Sequence, residues 1–420
     1  MHLKTIFHTL RYRNFRIFFV GQTISLTGTW MQSIAMSWLV YRLTNSPFLL
    51  GIVGFTSQIP TFILSPFAGV MADRWNRRRI LILTQTLSMA QAFILAILTL
   101  TGTIKVWHII SLGIILGSIN SLDIPARQSF IVEMVERKEN LGNAIALNSL
   151  MFNAARLVGP SIAGILIAVI GEGVCFLING VSFLAVIISL LAMRIDSPKK
   201  SETKNSHVLE GLKEGFAYAF GFVPIRFILS LLSIVSIMGM SYVVLMPVFA
   251  RDVLKGGPGT LGLLMASAGV GALTATVYLA SRKTILGLGK MIPISSSIFA
   301  LGLIAFSLSH FMWVSSFLLM LIGFGVMVHM AASNTILQTI VDDDKRGRIM
   351  SLYTMAFMGT APLGSLLAGS LATSIGVTNT LIIGGALCLV ASALFATKLP
   401  VLRKIIHPIY KRIGIIQIYP

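Results

Sequence analysis

Apolar and polar segments alternate along the chain with a regular period. Twelve apolar runs of about 20 residues lie near 17–40, 48–71, 80–101, 106–126, 144–170, 174–193, 227–249, 261–281, 291–308, 312–335, 350–374 and 378–397. Each run is long enough to cross a hydrocarbon core of about 30 Å as a helix. The first run is too long for a signal-peptide core and has no cleavage signal, so we expect it to remain as the first span. The pattern predicts an all-α membrane protein of twelve transmembrane helices.

The composition indicates that lipid is the solvent of most side chains. Hydrophobic residues make up 55% of the chain, charged residues make up 11%, and the mean hydropathy is +0.86. The sequence contains no Gly-x-x-x-x-Gly-Lys-Ser/Thr segment, so it encodes no phosphate-binding loop of that type. Catalytic and metal-ligand spacings are missing as well, and Cys175 and Cys388 stand far apart. We expect a protein that is not an enzyme, needs no cofactor or metal, and moves solutes without hydrolysing nucleotides itself.

The placement of the basic residues explains the formal net charge of +19. With a cytoplasmic N-terminus, 28 of the 33 Lys and Arg residues fall in the tails and the even-numbered loops. Arg156 lies within a span, and four fall outside: Arg42, Lys105, Arg251 and Lys255. This skew follows the positive-inside rule, so no nucleic-acid partner is needed to account for the charge. We expect a multi-pass protein of the bacterial inner membrane with both termini in the cytoplasm.

Short motifs recur at related distances in the two halves of the chain. Ser46–Gly51 returns as Gly257–Gly262 at an offset of 211, and Ala163–Gly164 returns as Ala368–Gly369 at an offset of 205. Such repeats predict two six-helix halves. The predicted organisation is a six-helix bundle over 1–193, a cytoplasmic linker with an amphipathic helix over 194–226, a second six-helix bundle over 227–397 and a basic cytoplasmic tail over 398–420.

The polar segment between the second and third runs is densely charged. It contains Gly69, Asp73, Arg74, Arg77 and Arg78. This segment resembles the signature of the major facilitator superfamily, Gly-x-x-x-Asp-Arg-x-Gly-Arg-Arg/Lys, with Asn76 in place of the second glycine. Asn tolerates a left-handed backbone nearly as well as Gly, so the departure is mild. The resemblance implies the major facilitator fold, two pseudo-symmetric six-helix bundles with a substrate site at their interface.

The same resemblance implies a conformational latch on the cytoplasmic side. Asp73 would face the positive end of the eleventh helix, and Arg77 or Arg74 would pair with Asp123 at the inner end of the fourth span. With Gly69 and Arg78, these residues form the predicted latch. The alternative for Asp123 is a carboxylate that simply reaches the interface from a helix end.

The fifth span carries a small-residue motif, Gly159, Pro160, Ala163 and Gly164. It resembles the Gly-Pro-x-x-Gly-Gly motif of superfamily exporters, from which Ala163 departs. Small residues allow helices to approach closely and proline deforms the backbone, so plain helix packing is the alternative. The resemblance therefore suggests an exporter.

Polar side chains inside the spans are candidates for substrate contacts. Arg156 is a guanidinium within the fifth span, where a charge costs about 2.5–3.5 kcal/mol, so it must face protein, a cavity or a counter-charge. His329 could titrate near neutral pH and carry a proton, or it could be an interhelical hydrogen-bond donor. In the superfamily, spans one, four and ten line the cavity. This gives the candidate set Gln22, Asn120, Arg156, His329 and Asn334, with Asp123 and His329 as candidates for proton coupling.

The sequence also indicates what the cavity should accept. We expect Asp123 to lie at the inner rim, which would leave no Asp or Glu deep in a span and favour neutral or anionic amphiphiles over cations. Two segments, 137–141 and 346–353, resemble the superfamily branch that contains the enterobactin exporter and the macrolide efflux proteins.

The resulting hypothesis is a secondary transporter that exports a siderophore-like or other amphipathic neutral or anionic molecule by alternating access, with proton coupling. Two alternatives stay open, a macrolide or multidrug efflux pump and a transport-inactive sensor or assembly protein. The expected partners are a small-molecule substrate, the lipid bilayer and protons. A monomer is the expected state.

Overall fold

The computed structural model describes residues 7–134, 141–193, 208–282 and 284–412. Within these ranges the regular secondary structure is helical, as the sequence predicted. In the part of the chain that the structure describes, eleven helices are long and apolar enough to cross a membrane. The first long helix, Arg13–Thr44, falls outside that set because its apolar positions alternate with Arg, Gln, Ser and Thr.

The first part of the chain forms six long helices. After a short 3-10 turn at Phe7–Arg11 come α1 (Arg13–Thr44), α2 (Pro47–Arg74), α3 (Arg77–Leu100), α4 (Val106–Met134), α5 (Leu141–Ile170) and α6 (Glu172–Ala192). Local signals mark where they start. Ser46 accepts a hydrogen bond from Leu49 N and is followed by proline, an arrangement typical of a helix N-terminus.

The second part contains shorter helices joined by π-helical turns. Its elements are α7 (Val208–Gly221), α8 (Val223–Ile234), α9 (Tyr242–Val248), α10 (Pro258–Ser281), α11 (Leu288–Ser307), α12 (Met312–Ile340), α13 (Asp343–Thr354), α14 (Ala361–Ile375) and α15 (Val377–Arg412). The π turns at Val235–Gly239 and Met355–Gly359 interrupt the seventh and eleventh spans. Such turns widen a helix locally and are frequent at functional sites.

The chain divides into two compact units. The first comprises 1–204 with 246–269, and the second comprises 205–245 with 270–420. In the first, α1 and α3 pack along α6, and α2 packs along α4; in the second, α11 packs along α12 and α15. The segment 246–269 packs with the first unit, whereas the sequence grouped it with the second bundle. The predicted domain boundaries therefore stay a prediction.

Polar side chains stabilise the first unit from inside. Asn179 of α6 donates to Gln32 of α1 at 2.8 Å, and Gln32 donates to Gln91 of α3 at 3.2 Å. All three side chains are buried. An unpaired amide in this apolar interior would be costly, so the ladder fixes the register of the three helices.

Two helices are longer than the sequence predicted. The fourth span was expected to end near 126, but α4 continues to Met134. The twelfth was expected to end near 397, but α15 continues to Arg412 through Pro400 and Pro408. In both cases the added turns are more polar than the span itself, and hydropathy alone therefore stopped the prediction too early.

Candidate functional site

The arginines of the charged segment tie the start of α3 to neighbouring helices. Arg77 donates to the Glu133 carboxylate of α4 at 2.5 Å, and Arg78 donates to the backbone carbonyl of Leu190 in α6 at 2.7 Å. Asn76 adopts an extended backbone and accepts a hydrogen bond from Arg79 N at 3.1 Å. Asn76 thus acts as the N-cap of α3, which explains an Asn at this position without a left-handed backbone.

The structure describes only part of the predicted latch. The side chains at Gly69, Asp73 and Arg74 lie outside the part of the molecule that the structure describes. Arg77 pairs with Glu133, a contact that the sequence did not predict, and the pairing of Arg77 or Arg74 with Asp123 stays a prediction. The predicted pairing overlooked Glu133 because α4 was expected to end before it.

Asp123 is a buried carboxylate in the C-terminal half of α4. It is 5% exposed, and its Oδ1 accepts hydrogen bonds from Thr84 Oγ1 and Gln85 Nε2, both at 2.8 Å. Arg127 Nε stands 3.7 Å from its Oδ2. Eleven residues of α4 follow Asp123, about 16 Å of helix. The candidate span within α4 ends at Ile131, eight residues after Asp123, so the expected position of Asp123 at the inner rim stays a prediction.

The surroundings of Asp123 leave one acceptor unused. Gln85 Oε1 is buried and has no hydrogen-bond partner within the described residues. A protonated Asp123 would be a donor, and Gln85 could meet it by turning its amide oxygen towards the carboxyl.

Arg156 lies against an aromatic face. Its guanidinium carbon is 5.9 Å from the centre of the Trp30 ring, and that ring meets Phe152 edge-to-face at 5.7 Å. Within the described part of the chain, no carboxylate forms an ion pair with Arg156. The cation–π contact positions the guanidinium without neutralising its charge.

The helix that carries Arg156, α5, has two stripes outside its buried face, and these differ in polarity. One stripe is exposed and entirely aliphatic, and consists of Val158, Ile162, Ile165 and Val169. The other lies on the opposite face in the N-terminal half, and consists of the exposed Ile145, Ser149 and Phe152 with the half-buried Arg156. Residues 156 and 158 are about 200° apart on a helix. The aliphatic stripe suits lipid, whereas the stripe with Arg156 suits a polar ligand or water.

The small residues of α5 lie at close helix contacts. A Cβ on Gly159 would stand 2.6 Å from Trp30 Cβ, so this glycine lets α1 approach and helps to place the Trp30 ring. A Cβ on Gly164 would stand 3.0 Å from the Cα of Gly262 in α10. Gly262 in turn lies against the carbonyl of Pro160, and Ala163 is fully buried. The motif thus packs α5 against α1 on one side and α10 on the other.

His329 lies in a packed interface rather than on an open surface. It is 0% exposed and shares a buried stripe of α12 with Gly325, which contacts the backbone of Ser295 and Phe299 in α11. Neither ring nitrogen makes a hydrogen bond of ordinary geometry within the described residues, although the backbone of Ile292 faces the ring. This placement favours a packing role.

The other cavity candidates are placed differently from one another. Gln22 is buried in α1, Asn120 is half-buried in α4, and Asn334 is half-buried in α12. Asn334 accepts a hydrogen bond from Gln338 at 2.6 Å, one turn further along the same helix. Of these three, Asn120 and Asn334 retain exposed surface for a ligand.

A second polar cluster in the first unit links helix ends on the side away from Arg77. Arg42 forms a bidentate ion pair with Glu172, at 2.7 Å and 3.2 Å. Tyr41 donates to the Asp252 carboxylate, and Arg251 donates to Asn45 at 2.7 Å while lying over the Tyr41 ring. Sequence analysis missed this cluster because its members come from three helix ends that are distant in the chain.

Comparisons with known proteins place the chain among membrane transporters. The pattern of a family described as "Transmembrane secretion effector" matches residues 4–407. The Staphyloferrin A transporter of Staphylococcus aureus is 28% identical over 88% of this chain and 92% of its own length. The multidrug efflux pump Tap of Mycolicibacterium fortuitum is 24% identical over 84% and 88%, and Macrolide efflux protein A of Streptococcus pyogenes is 21% identical over 90% and 95%.

The fold also matches solved transporter structures. A bacterial homologue of the human lysosomal transporter Spinster, in an inward-facing and occupied conformation, superposes with a TM-score of 0.72. The match covers 92% of this chain and 96% of that one at 12% identity, which supports the fold alone. The family match over nearly the whole chain and the relatives named above confirm the predicted branch. The chain is a membrane transporter that belongs to the transmembrane secretion effector family of the major facilitator superfamily.

Proposed function

We propose that the protein exports small amphipathic molecules that carry a carboxylate or a similar anionic group beside an apolar or aromatic part. The observation that carries this proposal is Arg156, a guanidinium within a span, held against Trp30 on the stripe of α5 that is unlike its lipid-type stripe. Siderophores of the carboxylate and catecholate classes have this chemistry. The similarity to a staphyloferrin A transporter supports the same class.

Each part of the arrangement would contribute to recognition. A guanidinium binds a carboxylate through two parallel hydrogen bonds, which fixes orientation as well as charge. Trp30 and Phe152 offer flat apolar surface next to that charge. An anion at this site would meet a positive charge that no described carboxylate neutralises, and this contact would offset part of the anion's lost hydration.

The direction and energy source belong to the same proposal. We place the protein in a bacterial inner membrane with both termini in the cytoplasm, because the basic residues cluster on that side. Export would proceed by alternating access, with the charged segment around Arg77 and Asp123 as a cytoplasmic latch. Asp123 would carry the proton that drives transport, since it is buried and hydrogen-bonded by groups that can adapt to either protonation state.

A second candidate function is efflux of macrolides or other drugs. The half-exposed aromatic pair Trp30 and Phe152 favours it, since such surface binds large apolar molecules without strict geometry. The similarity to Tap and to a macrolide efflux protein points the same way. Drug susceptibility of a deletion strain separates the two candidates, because loss of a siderophore exporter should leave drug susceptibility unchanged.

Transport in everted membrane vesicles tests the leading proposal. Arg156→Gln should reduce uptake of a carboxylate siderophore about tenfold or more, and Arg156→Lys should recover little of it if the contact is bidentate. Val158→Ala, on the aliphatic stripe of the same helix, is the matched control and should transport normally. Full transport of the anionic substrate by Arg156→Gln would refute the assignment of Arg156 as the anion contact.

A further inference from the structure

The second unit contains a cavity with a basic rim where four helix ends meet. Its volume is about 370 Å³, within the usual range for small-molecule pockets. It lies between the start of α8, the start of α11, the last turns of α12 and the C-terminal part of α15. Its walls are apolar and include Ile228, Ile292, Ile336, Phe395 and Leu402.

Three basic side chains line this cavity. They are Lys290 of α11 and Arg403 and His407 of α15, and all three are exposed. None of the described residues that line the cavity is acidic. In the described part of the chain none of the three has an ion-pair partner, whereas Arg412 on the same helix is paired with Asp342 at 2.9 Å. The rim therefore presents unneutralised positive charge to whatever fills the cavity.

An apolar groove continues from the cavity along the same pair of helices. A second cavity of about 410 Å³ lies between α8 and α15 and shares Phe395 with the first. Its lining residues are apolar apart from Ser230 and extend along α15 to Leu387. From Arg403 to Phe395 and from Phe395 to Leu387 are eight residues each, about 12 Å of helix in either step. A polar end and an apolar run thus follow one another along α15.

We propose that the basic cavity binds the phosphate headgroup of an anionic phospholipid and that one acyl chain lies in the adjoining groove between α8 and α15. A soluble phosphate compound would use the rim but would leave the apolar walls and the groove without a partner. A zwitterionic lipid would fill the groove but would bring its own positive charge to Lys290 and Arg403. Only an anionic lipid fits both the basic rim and the apolar groove. Such lipids are recognised on the side of the membrane where the basic residues of the protein cluster.

Four substitutions can test this cavity. Arg403→Gln and Lys290→Gln remove rim charge, and Lys404→Gln removes a neighbouring exposed charge that does not line the cavity. Gly289→Leu fills the cavity instead, because a Cβ there would meet only the Ile336 and Leu399 side chains, at 4.0 Å. Position 289 is in the first turn of α11, where a leucine also suits the helix.

Native mass spectrometry of the full-length protein, titrated with phosphatidylglycerol or with phosphatidylcholine of the same acyl chains, tests the proposal. Phosphatidylglycerol should bind more tightly to the wild type. Each rim substitution should weaken its binding about fivefold and the double variant about 30-fold, from about 1 kcal/mol for each basic residue. Gly289→Leu should abolish binding of phosphatidylglycerol. Lys404→Gln should bind this lipid with an affinity within about twofold of that of the wild type.

Three results would overturn the proposal. Equal binding of the two lipids would show that the rim does not recognise charge. Equal loss in Arg403→Gln and Lys404→Gln would indicate a diffuse surface potential rather than a site. Competition by glycerol phosphate at the concentration at which the lipid binds would assign the cavity to a soluble phosphate compound.

Discussion

Asp123 and Arg156 are both charged groups inside apolar helices, and their surroundings differ. Asp123 has two hydrogen-bond donors and a nearby guanidinium, so its charge is compensated within the protein. Arg156 has an aromatic ring beside it and no described counter-charge. An uncompensated charge within a span calls for a ligand or water, whereas a compensated charge does not. Under the proposed function, Arg156 would therefore contact the substrate and Asp123 would serve coupling.

Asp123→Asn and His329→Gln should separate coupling from packing. The amide oxygen introduced by Asp123→Asn could still accept from Thr84 and Gln85, so we expect folded protein that exchanges substrate downhill but has lost about tenfold or more in uphill export. His329 lies in a packed interface, so His329→Gln should slow both processes together. Paired measurements of exchange and of proton-driven export in proteoliposomes check this. Equal loss of both rates in Asp123→Asn would rule out its role as the proton carrier.

At the scale of elements, backbone contact between α5 and α10 organises the first unit. Gly164 and Gly262 face each other closely, and Gly262 also lies against the carbonyl of Pro160. Apolar side chains gain little by leaving lipid for another helix, so close packing of this kind carries much of the association between spans. The glycines therefore determine how near these helices come.

Gly262→Ala should destabilise the protein by about 1–3 kcal/mol, the usual cost of overpacking. Its Cβ would stand 2.7 Å from the Pro160 carbonyl oxygen and 2.8 Å from Gly164 Cα, both on backbone that cannot move aside. Gly142→Ala is the matched control, since a Cβ there meets nothing within 4 Å, and it should be neutral or slightly stabilising. Thermal unfolding in detergent measures both. A Gly262→Ala protein as stable as the wild type would contradict the importance of this contact.

For the whole molecule, the distribution of basic residues determines the expected orientation. The helix ends that carry Arg77, Lys290 and Lys404 would lie in the cytoplasm, and those near Lys105 and Gly257 would lie outside. The two cysteines, Cys175 and Cys388, are both fully buried, so labelling of introduced cysteines should have a low background.

Cysteine labelling with a membrane-impermeant thiol reagent checks this orientation. In intact cells, Lys105→Cys and Gly257→Cys should react, and Lys404→Cys should react only after the membrane is permeabilised. The reverse pattern would place the basic face outside and would also exclude the inner leaflet as the source of the proposed lipid.

The sequence by itself determined the class of protein, the spans and the superfamily. These depend on hydropathy over about 20 residues and on a local motif, and both are properties of neighbouring residues in the chain. Local chemistry also determines the cap at Asn76, although its extended backbone differs from the left-handed one that glycine would allow.

Only the tertiary structure decided which polar side chains meet. It placed Asp123 with Thr84 and Gln85, and it buried His329 against α11. Partners of this kind come from helices far apart in sequence, and their choice depends on helix rotation and on where a helix ends. Hydropathy specifies neither the rotation of a helix nor its end. The centre of a span is equally apolar whether or not the helix continues for a few more turns. The same limit hid Trp30 beside Arg156, although Phe152 at four residues' distance was a helical neighbour visible in the sequence.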